Sequence, residues 1–294
     1  MGYLKDNMIE EMKLRGYSDT TIKMYTQCVD ALARRFMKSP LLITQAEIRD
    51  YFLRLIEESA SPMRRKTAYF AVKLFYAIHG QPHYIDFLPR PRVPSRIPEV
   101  LDESEIQTIL SLCRTLRYKL FFTLIYSSGL RISEALNIRL PDIDMTRRTI
   151  HVRESKSGKE RYTILSSKAI VLLKFYLNRY RPESLLFFTI RDKSRKMPKR
   201  HCQQVFHDLV RQACITKKVR VHTLRHSFAT HLLEHNTNIF YIMQLLGHAS
   251  ISSTLIYLHM QGPNSLKIQS PLDLSGISLV ELQSCRSQPA LCSA

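Results

Sequence analysis

The stretch "HTLRHSFATH" (222–231) gathers three histidines, an arginine and three hydroxyl side chains around little apolar surface. His222 and His226 are spaced i, i+4, which is one helical turn, and Arg225 lies beside both. Two such histidines would suit zinc, but the H-E-x-x-H pattern also brings a glutamate after the first histidine and a third ligand. Here Thr223 follows His222 and the surroundings are cationic, so no metal is expected. An anion fits better. An arginine and a histidine at a helix start combine charge, donors and the positive end of the helix dipole. Arg131, just past Gly129, offers the same arrangement elsewhere. Two guanidinium forks, helped by imidazole, would stabilise a five-coordinate phosphorus electrostatically, without a metal.

Such chemistry also needs a nucleophile. Among Tyr126, Tyr162, Tyr241 and Tyr257 the residue types alone do not choose. Tyr241 lies in the apolar run "NIFYIMQLLG" and is assigned to packing, whereas Tyr257 follows the polar run "HASISSTLIY" and could present its hydroxyl to a cleft. His226 reads as a helix-packing or supporting residue, His231, Glu234 and His235 as surface residues, and Glu134 as a group that caps or orients Arg131.

These side chains need a scaffold, and the patterns that would build it are mainly helical. Before residue 88 a weak helix near 3–14 precedes three stronger ones. "SDTTIKMYTQCVDALARRFM" begins with a good N-cap, Ser18, and places Ile22, Tyr25, Val29, Leu32 and Phe36 on one stripe. Thr44 and Glu47 have capping-box spacing, and Gly80 can close the helix that starts near Ser61. "LPRPRVPSRIP" (88–98) holds four prolines and three arginines and reads as an extended linker. Beyond it, "DESEIQTILSLC", "RYKLFFTLIYSSG" and "RISEALNI" read as helices. "TIHVRESKSGKERYTIL" alternates about a Ser-Gly turn as a β-hairpin with Lys156 at its bend. The region 167–261 is again mostly helical. The fold class is therefore mainly α (α+β): a four-helix N-terminal domain over 1–88, a linker over 89–98, a mostly helical domain with a small antiparallel hairpin over 99–262, and a tail over 263–294.

Charge narrows the partners. The chain carries a net +19. Residues 1–98 hold 16 Lys+Arg against 10 Asp+Glu, 99–262 hold 26 against 13, and the tail holds 2 against 2. The excess thus belongs to the folded body, as expected for a protein that meets a polyanion. Arg64, Arg65 and Lys66 at one helix start, and Arg90, Arg92 and Arg96 in the linker, are the candidate DNA contacts outside the reactive cluster. The six cysteines form no C-x-x-C pair and read as reduced thiols of a cytoplasmic protein. No apolar run approaches the ~20 residues of a membrane span, and the first residues lack the apolar core of a secretory signal.

Taken together, "SSGLRISEALNI", "KSGKER", "HTLRHSFATHLLEH" and "LLGHASISSTLIY" resemble the tyrosine recombinase family of phage integrases and Xer-type resolvases, in the right order over roughly residues 1–261. The resemblance implies that Arg131 and the pair His222 and Arg225 contact a scissile phosphate. It implies that Lys156 protonates the departing 5′ oxygen, that His248 is the second histidine, and that Tyr257 forms a 3′-phosphotyrosine bond. It further implies a SAM-like core-binding domain, a clamp of two domains around duplex DNA, a tetrameric synapse and no cofactor. The expected function is site-specific integration or excision of DNA. A type IB topoisomerase-like relaxation activity and a non-cutting DNA-binding accessory protein are the alternatives.

Overall fold

The computed structural model describes residues 2–94, 98–153 and 160–258. The chain divides into two compact units, residues 1–96 and 97–294.

In the first unit α1 (Gly2–Leu14), α2 (Asp19–Phe36), α3 (Gln45–Glu57) and α4 (Pro62–Ile78) surround one core. The starts are set by side chains: Ser18 accepts from the Thr21 amide, and Thr44 and Glu47 exchange bonds as a full capping box. Gly80, at φ +80°, closes α4 in the left-handed conformation that costs glycine least. Ile22, Val29 and Leu32 are buried along α2, while Tyr25 and Phe36 pack at its margin. The core is rich in aromatic rings, with Tyr76 donating its hydroxyl to the Pro40 carbonyl so that its polar end is satisfied inside.

The second unit is built on α6 (Leu116–Ser128), which is apolar nearly all round because it is covered on all sides. It packs against α8 (Ser167–Tyr180) and α10 (Val221–Glu234), with α5 (Glu103–Leu112) and α9 (Lys199–Gln212) completing the layer. The sheet has three antiparallel strands, β1 (Ile143–Asp144), β2 (Thr149–Val152) and β3 (Arg161–Ile164). Ile150 opposes Thr163 and Val152 opposes Arg161. The sequence pattern predicts only β2 and β3. The added β1 is two residues long, too short to carry a period. Residues 154–159, where the bend with Lys156 is expected, lie outside the described residues.

Three short helices finish this unit: α7 (Ile132–Asn137), α11 (Ile239–Leu246) and α12 (Ser252–Leu255). Gly129 ends α6 at φ +61° and Gly247 ends α11 at φ +63°. A small apolar cluster of Phe228, Ala229, Ile242, Leu246 and Tyr257 forms under α11 and α12, separate from the main core. No helix among the described residues is long and apolar enough to cross a membrane. Cys28, Cys113, Cys202 and Cys214 are free thiols.

Candidate active site

Two helix starts and two helix ends meet here. Arg131 is the N-cap of α7; its amide donates to Glu134 Oε2 at 2.8 Å, and its Nη1 to Glu134 Oε1 at 2.6 Å. Glu134 thus reaches back to the helix start while holding the arginine side chain over it. Arg225 enters from the second turn of α10 and is 1% exposed. Its Nη1 donates to the Gly129 carbonyl at 2.7 Å and stands 3.5 Å from Glu134 Oε2, and its Nη2 donates to the Leu246 carbonyl at 2.6 Å. The carbonyls are the orphan acceptors at the ends of α6 and α11. One buried guanidinium therefore ties together the ends of two helices and the carboxylate of a third.

Glu134 is the electrostatic centre of this arrangement. Arg161, facing inward from β3, grips it with both nitrogens at 3.0 and 2.7 Å and donates Nε to the Leu245 carbonyl at 2.8 Å. Burial alone would raise the carboxyl pKa, but the Arg161 fork, with Arg131 behind it, outweighs that and holds it down at about 2. One carboxylate faces three guanidiniums, so the pocket keeps a net positive charge. Arg225 registers that excess: burial first, then the nearby Arg131, lowers its pKa to about 9.

The imidazoles respond in the same direction. Burial, followed by Arg225 and Arg131, brings His222 down to about 4, although the residue as a whole still reaches solvent. Burial, then Arg225, does the same for His248, whose Nδ1 shares a 2.9 Å hydrogen bond with the buried Thr254 hydroxyl. At neutral pH these rings are uncharged.

Tyr257 follows α12 and is 2% exposed. Its ring lies parallel to that of His248, with an interplanar angle of 13° and centroids 6.4 Å apart. Its hydroxyl is 3.1 Å from His226 Nδ1. Burial raises its pKa, while Arg225 and Arg131 oppose that rise.

Five of the six residues singled out for phosphate chemistry, Arg131, His222, Arg225, His248 and Tyr257, are therefore brought to one place; Lys156 is outside the described residues. Among the other candidates, Arg64 is exposed at the first turn of α4, while Arg65 and Lys66 are half-buried there and Arg65 Nε has no partner among the described residues. Arg90 is exposed and lies 5.0 Å over the Phe70 ring, Arg92 is exposed, and Arg96 lies outside the described residues.

Three expectations need correction. Tyr241 is 62% exposed, not packed, because the stripe of α11 that turns inward is Ile242 and Leu246. His231 is buried, not on the surface, with Nδ1 2.9 Å from the Tyr126 hydroxyl. Tyr257 keeps its ring within an apolar cluster and its hydroxyl on a histidine, where a cleft-facing hydroxyl was expected. One contributor, Arg161, was missed. The strand that carries it has an ordinary pattern, and its burial there beside Thr163 is visible only once the chain is packed. His226, read as a helix-packing or supporting residue, stands against the Tyr257 hydroxyl.

A match to the phage integrase family model spans residues 99–262, and a match to the N-terminal SAM-like domain of phage integrases spans 4–79. The chain belongs to the phage integrase family, the tyrosine recombinases. Among relatives, tyrosine recombinase XerA of Pyrococcus furiosus is 31% identical, with 86% of this chain and 90% of that protein covered. An integrase/recombinase of Escherichia coli is 30% identical over 91% of this chain and 92% of its own length. Of solved structures, a crystal structure of XerA recombinase matches with 27% identity and a TM-score of 0.52, covering 98% of this chain and 99% of that one. A lambda integrase (75–356) dimer bound to a COC′ core site matches with 18% identity and a TM-score of 0.75, over 92% and 99% of the two chains, and shares the fold.

Proposed function

We propose that this protein is a site-specific DNA recombinase that cuts and rejoins strands through a 3′-phosphotyrosine intermediate, integrating or excising DNA. The observation that carries this reading is the meeting of Arg131 and Arg225 on one buried carboxylate, with the Tyr257 phenol inside their field. Net positive charge around neutral imidazoles suits a phosphodiester, whose charge grows as a fifth oxygen approaches phosphorus. Tyr257 attacks, Arg131, His222, Arg225 and His248 hold the phosphate oxygens, and Lys156 gives a proton to the leaving 5′ oxygen. One phosphodiester is exchanged for another, so bond energy is retained and no nucleotide cofactor is needed.

The net charge of +19 supports duplex DNA as the partner, with Arg64, Arg65, Lys66, Arg90, Arg92 and Arg96 as backbone contacts. The likeness to the recombinase relatives supports a tetrameric synapse and action in the cytoplasm.

The test begins by letting the protein select its site from a random duplex pool. A nicked duplex carrying that site then traps the covalent protein–DNA adduct, because the short strand beyond the break diffuses away. Wild type should form the adduct and Tyr257→Phe should not. Relaxation of plasmid lacking the site would favour the topoisomerase reading, and tight binding with no adduct would favour the non-cutting accessory protein.

A further inference from the structure

We propose that His226 takes the proton from the Tyr257 hydroxyl during strand cleavage and returns it during rejoining; this rests on the reading of Tyr257 as the nucleophile. The hydroxyl is 3.1 Å from His226 Nδ1, within the range a proton-accepting group needs. The other imidazoles are arranged differently. His222 packs edge-to-face against His226, with centroids 4.6 Å apart. His248 lies parallel to the phenol ring and engages Thr254 through Nδ1.

Protonation fixes the direction of the hydrogen bond. The groups facing His226 are His222 and Arg225 on its own helix, His248 after α11, and Tyr257 after α12. Burial, then His222, Arg225 and His248, lowers its pKa to about 4, so it is neutral at pH 7. A neutral imidazole that carries its hydrogen on Nε2 accepts through Nδ1, and the phenol donates. In this resting state the imidazole is a weak base. The phosphate changes that, because an anion placed between Arg131 and Arg225 offsets the cationic field that disfavours an imidazolium. Substrate binding thus raises the basicity of the group that must act on it.

The step balances without an outside reagent. As the Tyr257 Oη–P bond forms, its proton moves to His226 Nδ1. As the P–O5′ bond breaks, the 5′ oxygen takes a proton from a separate donor, the role proposed for Lys156. In rejoining, the 5′ hydroxyl attacks phosphorus and returns its proton to that donor, the phenolate leaves, and the His226 imidazolium gives its proton back.

The experiment measures the rate of adduct formation for wild type, His226→Gln, His226→Ala and Tyr257→Phe. The nicked duplex is the selected one, made with either an ordinary 5′ oxygen or a 5′-bridging sulfur at the scissile bond. Glutamine can still accept the phenol's hydrogen bond but cannot take its proton, so it separates placement from proton transfer. Both His226 variants should bind DNA as wild type does and lose roughly 10²–10⁴-fold in rate. They should lose it with either leaving group, since sulfur needs no proton but the phenol still does. Added imidazole should restore part of the His226→Ala rate. The proposal is overturned if His226→Gln cuts within about tenfold of wild type, or if the sulfur leaving group restores the variants. An adduct on Tyr257→Phe would instead sink the nucleophile assignment. A second readout needs no DNA: ¹⁵N-histidine spectra should show the Nε2–H tautomer of His226 at pH 7 and a shift of its Nδ1 signal in Tyr257→Phe. An Nδ1–H tautomer would refute the proposal.

Discussion

Arg161 and Glu134 form a two-pronged ion pair, Nη1 to Oε1 at 3.0 Å and Nη2 to Oε2 at 2.7 Å, in which both side chains are almost fully enclosed. The pair fixes the carboxylate in place and so leaves Arg131 and Arg225 oriented around it. Breaking a buried pair by removing one partner typically costs about 3–5 kcal/mol, because the other charge stays behind unpaired. Glu134→Gln should therefore destabilise the fold by that order, and Arg161→Met by a similar amount. Arg161→Lys keeps the charge but not the fork, and should fall between Arg161→Met and wild type. Urea titration of the three variants checks the ranking.

Acid should loosen the second unit in two stages. The three neutral imidazoles sit near 4 in the fold, below their ordinary 6.5. The unfolded chain thus binds more protons between those values, and stability declines as pH falls from about 6.5 towards 4. Glu134 carries the opposite charge, yet its effect has the same direction. Its carboxyl is depressed to about 2, so its contribution is complete above its ordinary value and is lost as pH drops through the range 4.5 to 2. That depression corresponds to roughly 3 kcal/mol. Thermal melts from pH 7 to 3 should fall steadily, and Glu134→Gln should flatten the lowest part of the profile.

Gly129 should be irreplaceable. A Cβ there would press into the Phe228 ring, and its φ of +61° disfavours any L side chain. Gly129→Ala should cost more than the ~1–2 kcal/mol of the backbone conformation alone. The same change displaces the carbonyl that holds Arg225. Adduct formation should drop further than the lost stability explains, which comparison at a temperature where both proteins are folded will test.

DNA affinity should track charge at the start of α4. Replacing Arg64, Arg65 and Lys66 with glutamine is expected to weaken binding of specific and random duplex alike. The slope of log affinity against log salt should shrink by about 0.9 for each phosphate that is no longer neutralised. Unchanged slopes would remove this face from the interface.

Much of the scaffold is legible in the chain because its signals are local. Ser18, Thr44 with Glu47, Gly80 and Gly129 each act within a few residues of the helix end they set. The grouping of Arg131, His222, Arg225, His248 and Tyr257 is readable from motifs in their order. The partners of those groups are not. Arg161 and Glu134 are 27 residues apart, and His226 and Tyr257 are 31 apart. Nothing periodic connects such pairs; only packing does. The misreading of Tyr241 has a different source: on a helix of eight residues, one face is too short to show which apolar side chains turn inward.

The small cluster beneath α11 and α12 gives the molecule a particular kind of discretion. Its phenol is anchored among four other buried side chains, apart from the large core that carries the fold's stability. Local segments with little apolar packing open at far lower free energy than the whole. On the proposed reading of Tyr257 as the nucleophile, its hydroxyl can stay sheathed while the protein roams non-target DNA, and be unsheathed without endangering the rest of the architecture.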